Sequence, residues 1–140
     1  MKKILILNSN YYKDISKNLL LNAKKKLIQS KFSVNVFDVP GVYEIPIAIR
    51  KYINKYDGFV ALGCVIKGET PHFDFICSSV FTSILDLSVK NNKPIGNGII
   101  TALNKNQAKK RSSINSKMTN KGSEASNAVI MILKNGPKKN

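Results

Sequence analysis

His72 is the only histidine in the chain, and the residue types around it suit proton transfer beside a bound anion. The stretch Gly63-Cys64-Val65-Ile66-Lys67-Gly68-Glu69-Thr70-Pro71-His72-Phe73-Asp74 begins where the apolar run Gly58-Phe59-Val60-Ala61-Leu62 ends. That run reads as a fully buried strand. Thr70 is a good N-cap, and Pro71 suits the first helical position, where its missing N–H costs nothing. Gly68 permits a sharp turn and a close approach of backbone to ligand. The stretch therefore predicts a strand, a short polar loop and a helix N-terminus, which together suit a phosphate on the backbone N–H groups of Gly68, Glu69 and Thr70. The Glu69 carboxylate must then point away from the anion. A lone histidine is more often structural than catalytic; its place in the first helical turn makes His72 the candidate for proton transfer.

Four further residues could serve such a site. Arg111 is one of two arginines, with Arg50, among 23 basic residues. An arginine kept in a lysine-rich chain suggests that a planar fork is wanted, although a solvated surface arginine fits equally well. Glu44 follows Pro40-Gly41-Val42-Tyr43 and is either a carboxylate at a helix N-terminus or a polar-ligand contact. Tyr11 and Tyr43 could stack on a flat heterocycle or simply cover the end of a sheet. Cys64 and Cys77 match no common metal spacing and too few cysteines are present for a disulfide scaffold, so both read as small core residues.

Composition narrows the classes. A chain of 140 residues, 43% of them hydrophobic, is one domain with a real core. No apolar run approaches the roughly 20 residues of a membrane span. The Met1–Leu7 stretch has too short an apolar run for a signal peptide, so a first strand and a cytoplasmic location are expected. The formal charge is +15, carried almost wholly by lysine. A nucleic-acid surface uses more arginine and interleaves aromatics, so solvated lysine faces are the preferred reading, with no specific nucleic-acid partner and no membrane.

The elements that must position these residues alternate. Ile4–Leu7, Phe32–Val39, Gly58–Leu62 and Ile95–Thr101 read as strands. Helices are expected after the first strand, with Ile15, Leu19, Ala23 and Leu27 inward, Leu20 and Ile28 widening the stripe and Asp14 or Ser16 as cap. Others are expected over Tyr43–Tyr52, with Ile45, Ile49 and Ile53 inward, over Pro71–Val89, over Asn104–Arg111 and over Ser123–Leu133. In the Pro71–Val89 helix, Phe75, Ser79 and Ser83 allow close packing beside Ile76, Val80, Ile84 and Leu87. In the last, Ala125, Val129 and Ile132 face inward. Ser112–Thr119 reads as a loop or frayed helix. The pattern predicts an α/β fold, a flavodoxin-like three-layer αβα arrangement with a four-stranded parallel sheet, over a single domain at 1–133 with a basic, disordered tail at 134–140. Ligands would sit at the carboxyl ends of the strands, where Asn8–Tyr12, Val39–Glu44 and Val65–His72 form the loops.

Taken together, these motifs resemble the lumazine synthase family of riboflavin biosynthesis. The matching pieces are Val39–Pro46, Ala61–Asp74, Gln107-Ala108 with Arg111, and Asn120–Ala125; in order, they extend the likeness over roughly Lys3–Leu133. The resemblance implies condensation of 5-amino-6-ribitylaminouracil with 3,4-dihydroxy-2-butanone 4-phosphate to give 6,7-dimethyl-8-ribityllumazine, phosphate and water, with no metal or organic cofactor. It implies that His72 transfers protons, that Gly68, Glu69, Thr70 and Lys121 bind phosphate, and that Arg111 joins them from a neighbouring subunit. Tyr11, Val42, Tyr43, Glu44, Val65, Ile66 and Asn97 would hold the pyrimidine and its ribityl chain. It further implies a homopentamer with active sites between subunits, in preference to a decamer or a sixty-subunit shell, and a functional link to riboflavin synthase. Four departures stand out. Asn97 lies where the family has Phe, and Tyr12 where it has Asn. Ser112–Asn120 is longer than usual and lacks glycines, and the segment that precedes the first strand in the family is missing.

Overall fold

In the computed structural model, which describes residues 1–115 and 119–139, four parallel strands lie between two layers of helices. The strands are β1 (Lys3–Ser9), β2 (Ser33–Val39), β3 (Gly58–Ile66) and β4 (Ile95–Ala102), hydrogen-bonded in the order β2-β1-β3-β4. The helices are α1 (Lys13–Gln29), α2 (Ile45–Lys51), α3 (His72–Asn91), α4 (Lys105–Arg111) and α5 (Lys121–Lys134). A 3-10 turn, Val42–Glu44, leads into α2. This is the flavodoxin-like three-layer fold.

The central strands β1 and β3 are covered on both faces, so their sequences are continuous apolar runs rather than alternating ones. Their residues nevertheless divide by parity between two cores. Ile4, Ile6, Val60 and Leu62 pack with α1 and α5, while Leu5, Leu7, Phe59 and Ala61 pack with α2 and α3. On α1 the residues Ile15, Leu19, Ala23 and Leu27 are buried as their spacing predicts, but Ile28 is exposed. At 100° per residue Ile28 lies about 160° from the centre of that stripe, whereas Leu20 lies at its margin.

Helix boundaries differ from those the spacing predicts where a different residue takes the cap position. Helix α1 starts one residue after Tyr12, without a side-chain cap; Asp14 falls inside its first turn, and the Ser16 hydroxyl is committed to Asn8. Pro71, not Thr70, occupies the cap position of α3, and the Thr70 hydroxyl accepts the His72 N–H at 3.4 Å. At its other end α3 runs on to Asn91, because Asn92 takes the left-handed conformation (φ 51°) that closes a helix. Helix α5 begins two residues earlier than expected, since Asn120 and not a later residue caps it.

Packing departs most on α3. Only Val80 and Ile84 of its residues are fully buried, and Phe75 is exposed rather than tucked against the sheet. Phe75, Leu85 and Val89 lie 68%, 66% and 72% exposed along one side. By length and mean hydropathy (1.2) this helix would suffice to cross a membrane; interspersed Ser and Thr hide that property from a search for apolar runs. Ile132 on α5 is also exposed, because the last turn overhangs a cleft beside Val89 and Ile95 instead of the sheet. Cys64 is a core residue as expected, whereas Cys77 is only half-buried. Within the Ser112–Thr119 loop, 116–118 lies outside the described residues.

Candidate active site

The loops that leave the carboxyl ends of β1, β2 and β3 meet around one cleft of about 340 Å3. The first loop contributes Ser9, Tyr11 and Tyr12, and the second contributes Gly41, Val42 and Tyr43. The end of β3 contributes Cys64, Val65 and Ile66, and α3 closes the wall with His72 and Ile76. Buried Asn8 ties this rim together. Its Nδ2 donates to Asp38 Oδ1 on β2 at 2.9 Å, and its Oδ1 accepts the Ser16 hydroxyl of α1 at 3.0 Å. The floor is tight, since a Cβ on Gly63 would come within 2.6 Å of Val42 Cγ1 and 3.2 Å of Ser9 Cβ.

Tyr11 and Tyr43 stand 73% and 65% exposed on the rim, with Tyr11 edge-on to Tyr12 at 5.0 Å between ring centres. An exposed ring held by an edge contact presents a face to a planar ligand. His72 opens α3 and is exposed, and among the described residues its imidazole has no hydrogen-bond partner. Burial pushes the Cys64 thiol up to about 11, with the Asp14 carboxylate adding to the effect. The Tyr12 phenol is raised by burial, with smaller contributions from Cys64 and Tyr11. The inner wall of the cleft is therefore uncharged at neutral pH.

Gly68, Glu69 and Thr70 form an exposed loop between β3 and α3. Gly68 does not use a positive φ. Nothing lies within 4 Å of the position a Cβ would take there, so the space beside its Cα is open.

Asn97, Arg111 and Lys121 come together elsewhere, in a second cleft of about 350 Å3 that also includes Phe81, Thr101 and Glu124. It lies against β4, between α3 and the start of α5. Arg111 ends α4, a short helix held at its start by Asn104 and Gln107. Asn104 Oδ1 accepts the Gln107 N–H and Gln107 Oε1 accepts the Leu103 N–H, both at 2.9 Å. Beyond it an antiparallel bridge joins Ser112 to Asn120. Asn120 Oδ1 caps α5 by accepting the Ser123 N–H at 3.1 Å, and its Nδ2 donates to Ser113 O at 3.1 Å and Asn18 O at 3.4 Å. Lys121 pairs with Glu124 at 3.7 Å, while Arg111 has no ion pair among the described residues.

The predicted residues thus fall into two groups on one chain: Tyr11, Val42, Tyr43, Val65, Ile66 and His72 in the first cleft, and Asn97, Arg111 and Lys121 in the second. Gly68, Glu69 and Thr70 line neither, and nor does Glu44. It lines a groove between α2 and α3 with Ser79, Val80 and Ser83, and shares Tyr43 with the first cleft. Sequence reading missed Asn8 and Asn120, the two buried amides that hold the clefts in shape. The signal was available for Asn120, which stands three residues before Ser123 as a helix N-cap does. For Asn8 none existed, because its partners lie in other elements. Among the described residues no three of His, Cys, Asp and Glu gather as a metal site would require.

Known proteins resemble the chain over nearly its whole length. The family described as 6,7-dimethyl-8-ribityllumazine synthase matches residues 1–135. The 6,7-dimethyl-8-ribityllumazine synthase of Methylorubrum extorquens strain PA1 is 38% identical over 94% of this chain and 79% of its own. Those of Bartonella bacilliformis and Bartonella tribocorum are 40% and 41% identical, each over 93% of this chain and 87% of theirs. With a match running from the first strand through the last helix, the chain belongs to the 6,7-dimethyl-8-ribityllumazine synthase family.

Proposed function

We propose that the protein condenses 5-amino-6-ribitylaminouracil with 3,4-dihydroxy-2-butanone 4-phosphate in the cytoplasm, releasing 6,7-dimethyl-8-ribityllumazine, phosphate and water. The lumazine then passes to riboflavin synthase. One observation carries this reading: three strand-end loops converge on a cleft with exposed tyrosine rings on its rim and a solvent-facing His72 at its mouth. An amine and a ketone react readily once they are held together, so the largest share of the catalysis is proximity. Tyr11 and Tyr43 stack on or cover the pyrimidine, and Val42, Val65 and Ile66 flank it. Glu44 reaches the ribityl chain from the adjoining groove. The Gly68-Glu69-Thr70 loop takes the phosphate through its backbone, and His72 moves protons as imine forms and phosphate leaves.

Arg111, Lys121 and Asn97 fit this chemistry if the second cleft of one subunit faces the first cleft of its neighbour. The separation of the two clefts supports such a site between subunits, and we propose a homopentamer. Lumazine formation followed by absorbance, above the uncatalysed background, tests the reading. His72→Ala is expected to lower kcat/KM on the order of a hundredfold. Arg111→Ala is expected to raise KM for the phosphorylated ketone. The decisive arm mixes the two variants after reversible dissociation. Recovered activity is expected, because some interfaces then pair an intact His72 with an intact Arg111. No recovery from well-formed mixed oligomers would place the whole site within one chain. No rate above background in the unmodified protein would remove the enzyme reading itself.

A further inference from the structure

Tyr12 joins the wall of the first cleft to the core beneath it. Its ring is half-buried against the core that contains Ile15 and Cys64, and it lines the cleft together with Cys64 and Ile66. The backbone at this point is fixed as well. Tyr12 O accepts the Ser16 N–H at 2.8 Å, the first hydrogen bond of α1, and Ser16 in turn donates its hydroxyl to Asn8 at 3.0 Å. Tyr11, by contrast, lies in the loop before α1 and is 73% exposed. Among the described residues the only ring in contact with it is that of Tyr12, at 5.0 Å between centres and 81° between planes. A near-perpendicular pair takes up at most one face of the Tyr11 ring and leaves the other open.

We infer that Tyr12 is a positioning residue: anchored in the core, it holds the Tyr11 ring in one orientation at the mouth of the cleft, with a face presented to a planar heterocycle. This rests on the reading of the chain as a lumazine-forming enzyme, which makes the pyrimidine ring that heterocycle. An exposed tyrosine on a loop loses rotamer freedom when a ligand stacks on it, and that loss weakens binding. A neighbouring ring that is already fixed removes part of the cost before the ligand arrives. The Tyr12 phenol makes no hydrogen bond among the described residues, so its ring and not its hydroxyl carries the contact.

A double-mutant cycle tests the inference, with 6,7-dimethyl-8-ribityllumazine titrated onto the full chain and binding read by its fluorescence. Tyr12→Leu keeps apolar packing against the core but removes the ring, and Tyr12→Met is a second ringless variant that must agree with it. Each is expected to raise Kd about three- to tenfold, the size of one lost edge contact between rings. Tyr12→Phe keeps the ring and is expected to stay within about twofold of the unmodified protein. In a Tyr11→Leu background the same Tyr12→Leu change is expected to add nothing further, because a residue that acts through Tyr11 has no effect once that ring is gone. Steady-state kinetics should follow the same order for the pyrimidine KM and leave KM for the phosphorylated ketone unmoved. An unchanged Kd in both ringless variants overturns the role, as does a loss in Tyr12→Phe equal to that in Tyr12→Leu. An undiminished Tyr12→Leu effect without the Tyr11 ring also overturns it, since Tyr12 would then touch the ligand directly. Absence of both binding and lumazine formation in the unmodified protein is a different result; it strikes the underlying reading and this assignment with it.

Discussion

Cys64 shows how burial and chemistry meet in one side chain. It belongs to the core that packs under α1, yet its thiol also lines the first cleft. Desolvation, reinforced by Asp14, raises that thiol from 9.0 to about 11. The native thiol therefore holds its proton more tightly than the unfolded one. The stabilisation is complete below pH 9 and is lost as pH rises from 9 to 11. The melting temperature is expected to fall over that window, with a shallower fall in Cys64→Ala; Tyr12 and Cys77 are raised in the same direction and contribute to what remains. Equal slopes for the two proteins would contradict the assignment. Gly63 makes the complementary point about space. Gly63→Ala drives a methyl into Val42 and Ser9, and a loss of about 1–3 kcal/mol by urea denaturation is expected. Because Val42 lines the cleft, the pyrimidine KM should rise with it.

At the scale of elements, the second cleft depends on how α4 and α5 are joined. Asn120 caps α5, bridges to Ser112 and donates to the carbonyls of Ser113 and, on α1, of Asn18, so one buried amide ties the segment that joins Arg111 to Lys121. Asn120→Ala removes a cap and leaves buried groups without partners, with an expected cost of about 2 kcal/mol. A selective rise in KM for the phosphorylated ketone should accompany it. Asn120→Asp keeps the cap to Ser123 but not the two donated bonds, and an intermediate effect on both quantities separates capping from bridging.

The whole molecule leaves an apolar stripe uncovered. Phe75, Leu85 and Val89 lie within about 80° of arc on α3, each more than half exposed. A stripe of that extent on a water-facing helix is what a subunit contact would cover. The proposed pentamer predicts a mass near five times 15.5 kDa by light scattering. Leu85→Asp, which removes no contact within the chain's own core, is expected to shift the mass toward the monomer and to abolish activity. A sixty-subunit mass for the unmodified protein would refute the pentamer, and an unchanged mass in the variant would clear α3 of the contact.

Much of this was legible in residue order. Apolar runs and four-residue spacing located the four strands and every helix but the polar α4, because burial of a face imposes a period on the chain. The glycine, proline and threonine around His72 marked the loop that meets the cleft. Caps were less legible: whether Thr70 or Pro71 opens α3, or Asp14 opens α1, is decided by where the preceding strand releases the chain. Periodicity also could not say that Phe75 and Ile132 face outward, since an apolar stripe looks the same whether its cover comes from the chain or from another subunit. The resemblance implied that Arg111 comes from a neighbouring subunit; the tertiary structure adds that Lys121 and Asn97 share its cleft while His72 lies in another. Local sequence sets φ, ψ and the period of burial. The distance between two sheet edges is set by the strand order β2-β1-β3-β4, which arises from packing across the whole chain.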